Sequence, residues 1–158
     1  MLTRLKMERN NIAIVISPIK GIDCFRDDWL FIVSTMDDDV IIGNNANVLL
    51  LNYMDVDARG AFSFSEEHAN RVVKFLIDRS GTYNTIACLC DQGVSRSSGL
   101  AAALMEAYGQ DSSSIWADNY YRPNKHVYFV MKKAIQKRSS LSLETRRIHE
   151  EIQYDNGL

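Results

Sequence analysis

The segment from residue 85 to residue 108 limits the possible folds more than any other part of the sequence. Residues 85–90 (Thr-Ile-Ala-Cys-Leu-Cys) form a short apolar run, typical of a strand that is buried on both faces. Residues 97–108 are rich in alanine and leucine, which predicts a buried helix. A buried strand that leads through a short loop into a helix is a unit of an α/β fold with a mainly parallel sheet.

The rest of the chain extends this pattern. β-branched and aliphatic runs predict strands at residues 12–16, 29–33 and 48–53. Helices are predicted from a Ser65 N-cap to about Asp78, from Asp111 or Ser112 to about Tyr121, and over residues 125–137. We therefore expect one domain over residues 1–158, with a mainly parallel central sheet, helices on both faces and a mostly helical C-terminal half. Residues 139–158 form a polar tail with the pattern of a short helix.

Composition excludes several classes of protein. The net charge is −2, so no excess of positive charge indicates nucleic acid or an anionic membrane as a partner. No apolar run approaches the ~18 residues of a membrane span, and the charged N-terminus does not resemble a signal peptide. The three cysteines do not have the spacing of a disulfide framework or a zinc site. These features predict a cytoplasmic protein with free thiols.

The loop between the predicted strand and helix carries a Cys-x5-Arg-Ser pattern. The positive end of the helix dipole and the loop amides favour the nucleophilic thiolate of Cys90. Gly93 permits a tightly curled backbone, and the curled amides form an anion site. The guanidinium of Arg96 can form a bidentate pair of hydrogen bonds with phosphate oxygens. The Ser97 hydroxyl is placed to donate to the cysteine sulfur. The predicted phosphate-binding residues are Asp91, Gln92, Gly93, Val94, Ser95 and Arg96.

This loop resembles the signature loop of the protein tyrosine and dual-specificity phosphatases, in its Gly-x-Ser-Arg-Ser form. The closest likeness is to the compact bacterial predicted tyrosine phosphatases, over about residues 45–137. The resemblance implies that Cys90 attacks phosphorus to give a cysteinyl-phosphate, which water then hydrolyses. Arg96 and the loop amides would stabilise the charge on the phosphoryl oxygens. No metal or other cofactor would be needed.

The general acid is expected to be Asp55 or Asp57. Both follow a predicted strand, as the acid loop of the family does. Counting forward from Val48 favours Asp55, whereas counting back from Cys90 favours Asp57. The sequence leaves both candidates open, and the remaining aspartate would be a solvated loop residue.

One position departs from the family pattern. Leu89 stands where the family usually has a histidine that supports the nucleophile. We expect this change to weaken thiolate formation without abolishing it. It also supports an alternative function, a non-catalytic module that binds phosphopeptides through the same loop. A redox function would need a resolving cysteine, and Cys88 is predicted to be a buried structural residue instead.

The loop also narrows the substrate class. Positions 91, 92 and 94 are not basic, whereas superfamily members that act on inositol phosphates tend to carry lysines there. The expected substrate is a phosphorylated protein, on tyrosine or also on serine and threonine, or a small phosphoester. His68 and His126 are predicted to be capping or surface residues, because neither has a partner at ligand spacing.

Overall fold

The structure is a computed structural model that describes residues 11–21, 26–38 and 45–138 of the chain. Within these ranges the strands are β1 (Ala13–Pro18), β2 (Trp29–Ser34), β3 (Val48–Leu51) and β4 (Thr85–Cys90). The helices are α1 (Glu66–Asp78), α2 (Arg96–Ala107), α3 (Ser113–Ala117) and α4 (125–138), with short 3-10 helices at Ile19–Gly21 and Asn45–Asn47. The predicted tail helix and Cys24 lie outside the described residues.

The strands form one sheet in the order β1-β4-β2-β3, and every pairing is parallel. The predicted α/β class with a parallel sheet is confirmed. β4 lies between β1 and β2, with Cys90 level with Pro18 on one side and Ser34 on the other. Ligands in open α/β sheets bind beyond the carboxyl ends of the strands. The chain that follows β4 therefore begins at the edge where such a site is expected.

The larger hydrophobic core lies between one face of the sheet and the helices. It includes Ile86 and Cys88 of β4 together with fully buried side chains of α1, α2 and α4, such as Leu76, Leu100 and Met131. A smaller core on the second face contains Phe31, Val33, Ala87 and Leu89. The 3-10 helix Ile19–Gly21 contributes Ile19 to this second core. Alternate residues of β4 thus point into different cores, which explains its continuous apolar sequence.

Local hydrogen bonding sets two helix boundaries. α1 begins at a capping box, in which His68 N–H donates to the Ser65 hydroxyl and Ser65 N–H donates to Nδ1 of His68. Of the two predicted roles for His68, surface or capping residue, the structure shows the capping role. α3 is shorter than predicted, because Asp118 adopts an extended backbone and its carboxylate accepts the N–H of Tyr120 at 2.9 Å. No helix in the described ranges is both long and apolar enough to span a membrane.

Candidate functional site

The loop between β4 and α2 surrounds a cavity of about 590 Å³. Five of the six predicted phosphate-binding residues line it, together with Cys90, Asp55 and Arg122. Gly93 is the exception, because it lies against the end of β1. Its φ is +69°, and a Cβ there would stand 2.5 Å from the backbone nitrogen of Pro18. Glycine is therefore required both by the backbone angle and by the close approach of another strand.

The cysteine and the serine that follows the arginine are in contact. The Sγ of Cys90 lies 3.1 Å from the Ser97 hydroxyl, within hydrogen-bonding distance. Cys90 lines the cavity and is only 3% exposed, and Ser97 is fully buried. A hydroxyl in this position can donate to a thiolate and stabilise it.

The N-terminus of α2 is not capped by a side chain. Ser95 occupies the N-cap position, but its hydroxyl donates to Oδ1 of Asp55 at 2.7 Å and not to the helix. Within the described part of the chain, no backbone N–H of residues 92–98 donates a hydrogen bond. Free amides at a helix N-terminus, together with the helix dipole, are suited to an anion. The carbonyl groups of Val94 and Ser95 accept the Ser98 hydroxyl, which holds the loop against the helix.

Arg96 is held in position by two contacts. One terminal nitrogen donates to the backbone carbonyl of Tyr53 at 2.9 Å, and the other lies 3.0 Å from the carboxylate of Asp91. The second oxygen of Asp91 accepts the hydroxyl of the fully buried Thr35 at 2.7 Å. These contacts fix the guanidinium plane at the cavity wall and leave its other N–H groups for an oxyanion. Asp91 thus lies in the cavity lining as an anchor for Arg96.

The two candidate acids have different surroundings. Asp55 lines the cavity with Cys90, and its Oδ1 also accepts the side-chain amide of Asn124 at 2.9 Å. Asp57 lies in an adjacent cavity, and its carboxylate accepts the backbone N–H of His126 at 3.0 Å in the first turn of α4. The structure thus brings Asp55 together with Cys90 and Arg96, and gives Asp57 a contact typical of helix capping.

Three residues organise the site through contacts that the sequence did not predict. Thr35 anchors Asp91, and Asn124 joins the Asp55 loop to the start of α4, where its side-chain oxygen Oδ1 accepts the N–H of Val127. Gly99 lets this segment approach α2, because a Cβ there would stand 2.5 Å from the backbone carbonyl oxygen of Asn124. A glycine within an alanine-rich helix is the one sequence signal that pointed to such a close approach.

Leu89 and Cys88 lie in apolar surroundings. Leu89 is fully buried in the small core with Phe31 and Val33, on the opposite side of β4 from Cys88. Burial raises the pKa of the Cys88 thiol, which stays protonated at neutral pH. Neither residue offers a polar or ionised group to Cys90.

No protein-family model matches the chain, and neither a curated protein nor a solved structure is significantly similar to it. The assignment of a function therefore depends on the residues and the geometry of the site.

Proposed function

We propose that the protein is a cysteine-dependent phosphatase that removes phosphate from phosphotyrosine in proteins, with phosphoserine and phosphothreonine as further candidate substrates. The observation that carries the proposal is the convergence of Cys90, Arg96 and Asp55 on one cavity at the uncapped start of α2. This arrangement combines a nucleophile, a cation and a proton donor around an anion site. A cytoplasmic location is part of the proposal.

In the first step, the Cys90 thiolate attacks phosphorus and the bond between phosphorus and the ester oxygen breaks. Asp55 in its protonated form transfers its proton to the departing oxygen. Arg96 and the free amides of the loop stabilise the negative charge on the phosphoryl oxygens. The product of this step is a cysteinyl-phosphate.

In the second step, water attacks the phosphorus of the cysteinyl-phosphate and the phosphorus–sulfur bond breaks. Asp55 accepts the proton of the attacking water, and the Ser97 hydroxyl, 3.1 Å from the sulfur, stabilises the returning thiolate. Inorganic phosphate then leaves the loop. Apart from the substrate and the attacking water, every group that takes part in this cycle belongs to the protein.

The proposal is tested by hydrolysis of an aryl phosphate in the presence of a metal chelator. We expect turnover by the wild type and its loss in Cys90→Ser and Arg96→Ala. Cys88→Ala is the matched control, because it removes a cysteine that lies outside the cavity lining. Undiminished turnover in Cys90→Ser would refute the covalent mechanism.

A pH–rate profile distinguishes the two acids. Asp55→Asn should lose the limb of the profile that reports the general acid, whereas Asp57→Asn should keep it, since an amide oxygen still accepts the N–H of His126. Loss of the limb in Asp57→Asn alone would assign the proton transfer to Asp57.

The position of Leu89 favours one alternative, a phosphopeptide-binding module without turnover. Leucine at this position gives the nucleophile no hydrogen bond from the preceding side chain. This alternative predicts that the wild type binds vanadate or a phosphopeptide at the loop but hydrolyses no phosphoester. Turnover that depends on Cys90 would exclude it.

A further inference from the structure

A second cavity, of about 410 Å³, lies beside the phosphate loop. Asp55, Ser95 and Arg122 line both this cavity and the first one. The remaining lining residues of the second cavity are Asp57, Trp116, Pro123, Asn124 and Lys125. A substrate with its phosphoryl group in the loop would therefore extend past, or into, this second cavity.

The wall that the cavities share is fixed to the loop by backbone hydrogen bonds. Arg122 N–H donates to the carbonyl of Val94, and Asn124 N–H donates to the carbonyl of Ser95, both at 3.0 Å. Asn124 is 4% exposed and packs against Gly99 of α2. The side chains of this segment therefore start from a backbone that keeps a constant distance from the phosphate site.

Two cations of the second cavity have no partner among the described residues. Arg122 and Lys125 are exposed, and neither the guanidinium nor the ammonium group makes a hydrogen bond or ion pair with any described residue. The two carboxylates of the cavity are engaged, since Asp55 accepts from Ser95 and Asn124, and Asp57 accepts from His126. The side chains of the cavity that keep free hydrogen-bond donors are thus the two cations, Arg122 and Lys125.

The cavity lining also contains one aromatic side chain, Trp116, which two contacts hold in place. Trp116 is 38% exposed, and its ring packs edge-on against Tyr128 with ring centres 5.1 Å apart. Its indole N–H donates to the Ser112 hydroxyl at 3.3 Å. A fixed aromatic face beside two cations suits a short apolar stem that ends in a carboxylate.

We propose that this second cavity binds an acidic side chain, aspartate or glutamate, close to the phosphorylated residue of a protein substrate. The inference rests on the proposed function, in that the phosphorylated residue occupies the loop. Arg122 and Lys125 would meet the carboxylate while Arg96 meets the phosphoryl group. The site would then select phosphorylated segments by a neighbouring negative charge.

Binding to the Cys90→Ser protein tests this selection, because that variant retains the loop and does not consume the peptide. The probes are phosphotyrosine peptides with a single aspartate at successive positions on either side of the phosphotyrosine, each paired with an asparagine peptide. At the favoured position we expect the aspartate peptide to bind more tightly, by up to about fivefold for each cation. The preference should shrink as the salt concentration rises.

The double substitution Arg122→Gln with Lys125→Gln should bring the aspartate-to-asparagine ratio close to one. Lys74→Gln is the control for loss of a positive charge, because Lys74 lies on α1, pairs with Asp78 and lines neither cavity. Equal binding of the paired peptides at every position, or a preference that survives the double substitution, would overturn the inference. Failure of the proposed function would show differently, as absence of aryl phosphate hydrolysis by the wild type.

Discussion

Substitution of Gly93 by alanine gives the sharpest structural test of the loop. A left-handed backbone angle costs an alanine about 1–2 kcal/mol, and φ at Gly93 is +69°. The new Cβ would also stand 2.5 Å from the Pro18 nitrogen and 2.8 Å from its Cδ. Overpacking of this kind costs about 1–3 kcal/mol. We therefore expect Gly93→Ala to lower the free energy of unfolding by about 2–5 kcal/mol.

Gly81 provides a matched control for the backbone term. Its φ is +83°, but a Cβ there would meet no atom of a non-neighbouring residue within 4 Å. Gly81→Ala should therefore cost only the strain of the left-handed angle, about 1–2 kcal/mol. The difference in free energy of unfolding between the two variants measures the cost of the overlap between the new Cβ and the end of β1.

Urea unfolding measures the free energies of unfolding of both variants, provided that the dependence on urea concentration has the same slope in each. Titration with vanadate measures the affinity of the loop for an oxyanion. Gly93→Ala should also weaken vanadate binding, because the loop amides must shift to relieve the overlap with Pro18. Gly81→Ala should leave that affinity intact. Equal destabilisation by the two substitutions, with equal vanadate affinity, would refute the packing of the loop against β1.

Three further predictions concern the surroundings of the site. Leu89→His, which introduces the histidine usual in the phosphatases that the loop resembles, should lower the free energy of unfolding by about 3 kcal/mol in urea, because it places an imidazole in an apolar core. Unchanged stability would show that the imidazole finds a partner. Asn124→Ala should lower the free energy of unfolding by about 2–3 kcal/mol and reduce turnover, because it removes the cap of α4 and one hydrogen bond to Asp55. A decrease of less than about 0.5 kcal/mol would contradict that role. Burial lowers the pKa of His68 below its usual 6.5, so stability should fall as the pH drops below 6.5. His68→Gln, which keeps a capping box, should remove this part of the pH dependence, and an unaltered pH profile would show that other groups cause it.

The sequence predicted the local parts of the site well. The bounds of β4 were predicted in full and those of α2 to within one residue, because an apolar run, a glycine-containing loop and an alanine-rich helix each have strong local preferences. The N-cap of α1 at Ser65 was predicted correctly for the same reason. α3 was predicted too long, since the hydrogen bond from Tyr120 to Asp118 competes with the helix.

Contacts between distant parts of the chain could not be predicted in the same way. The strand order places the ends of β1 and β2 on either side of Cys90, which brings Pro18 to Gly93 and Thr35 to Asp91. Spacing along the chain could not decide between Asp55 and Asp57. What distinguishes the two residues is the set of groups that each carboxylate contacts. The amide of Asn124 and the backbone of His126 make that distinction, and both come more than sixty residues later in the sequence.

The central claim is that the phosphoryl group passes through Cys90. The most direct measurement is a rapid acid quench of the wild type during turnover of an aryl phosphate, followed by mass spectrometry of the peptides. We predict one phosphoryl group on the peptide that contains Cys90, present only while substrate remains and absent from Cys90→Ser. Steady hydrolysis with no phosphoryl group on that peptide, or with the group on another residue, would contradict the mechanism.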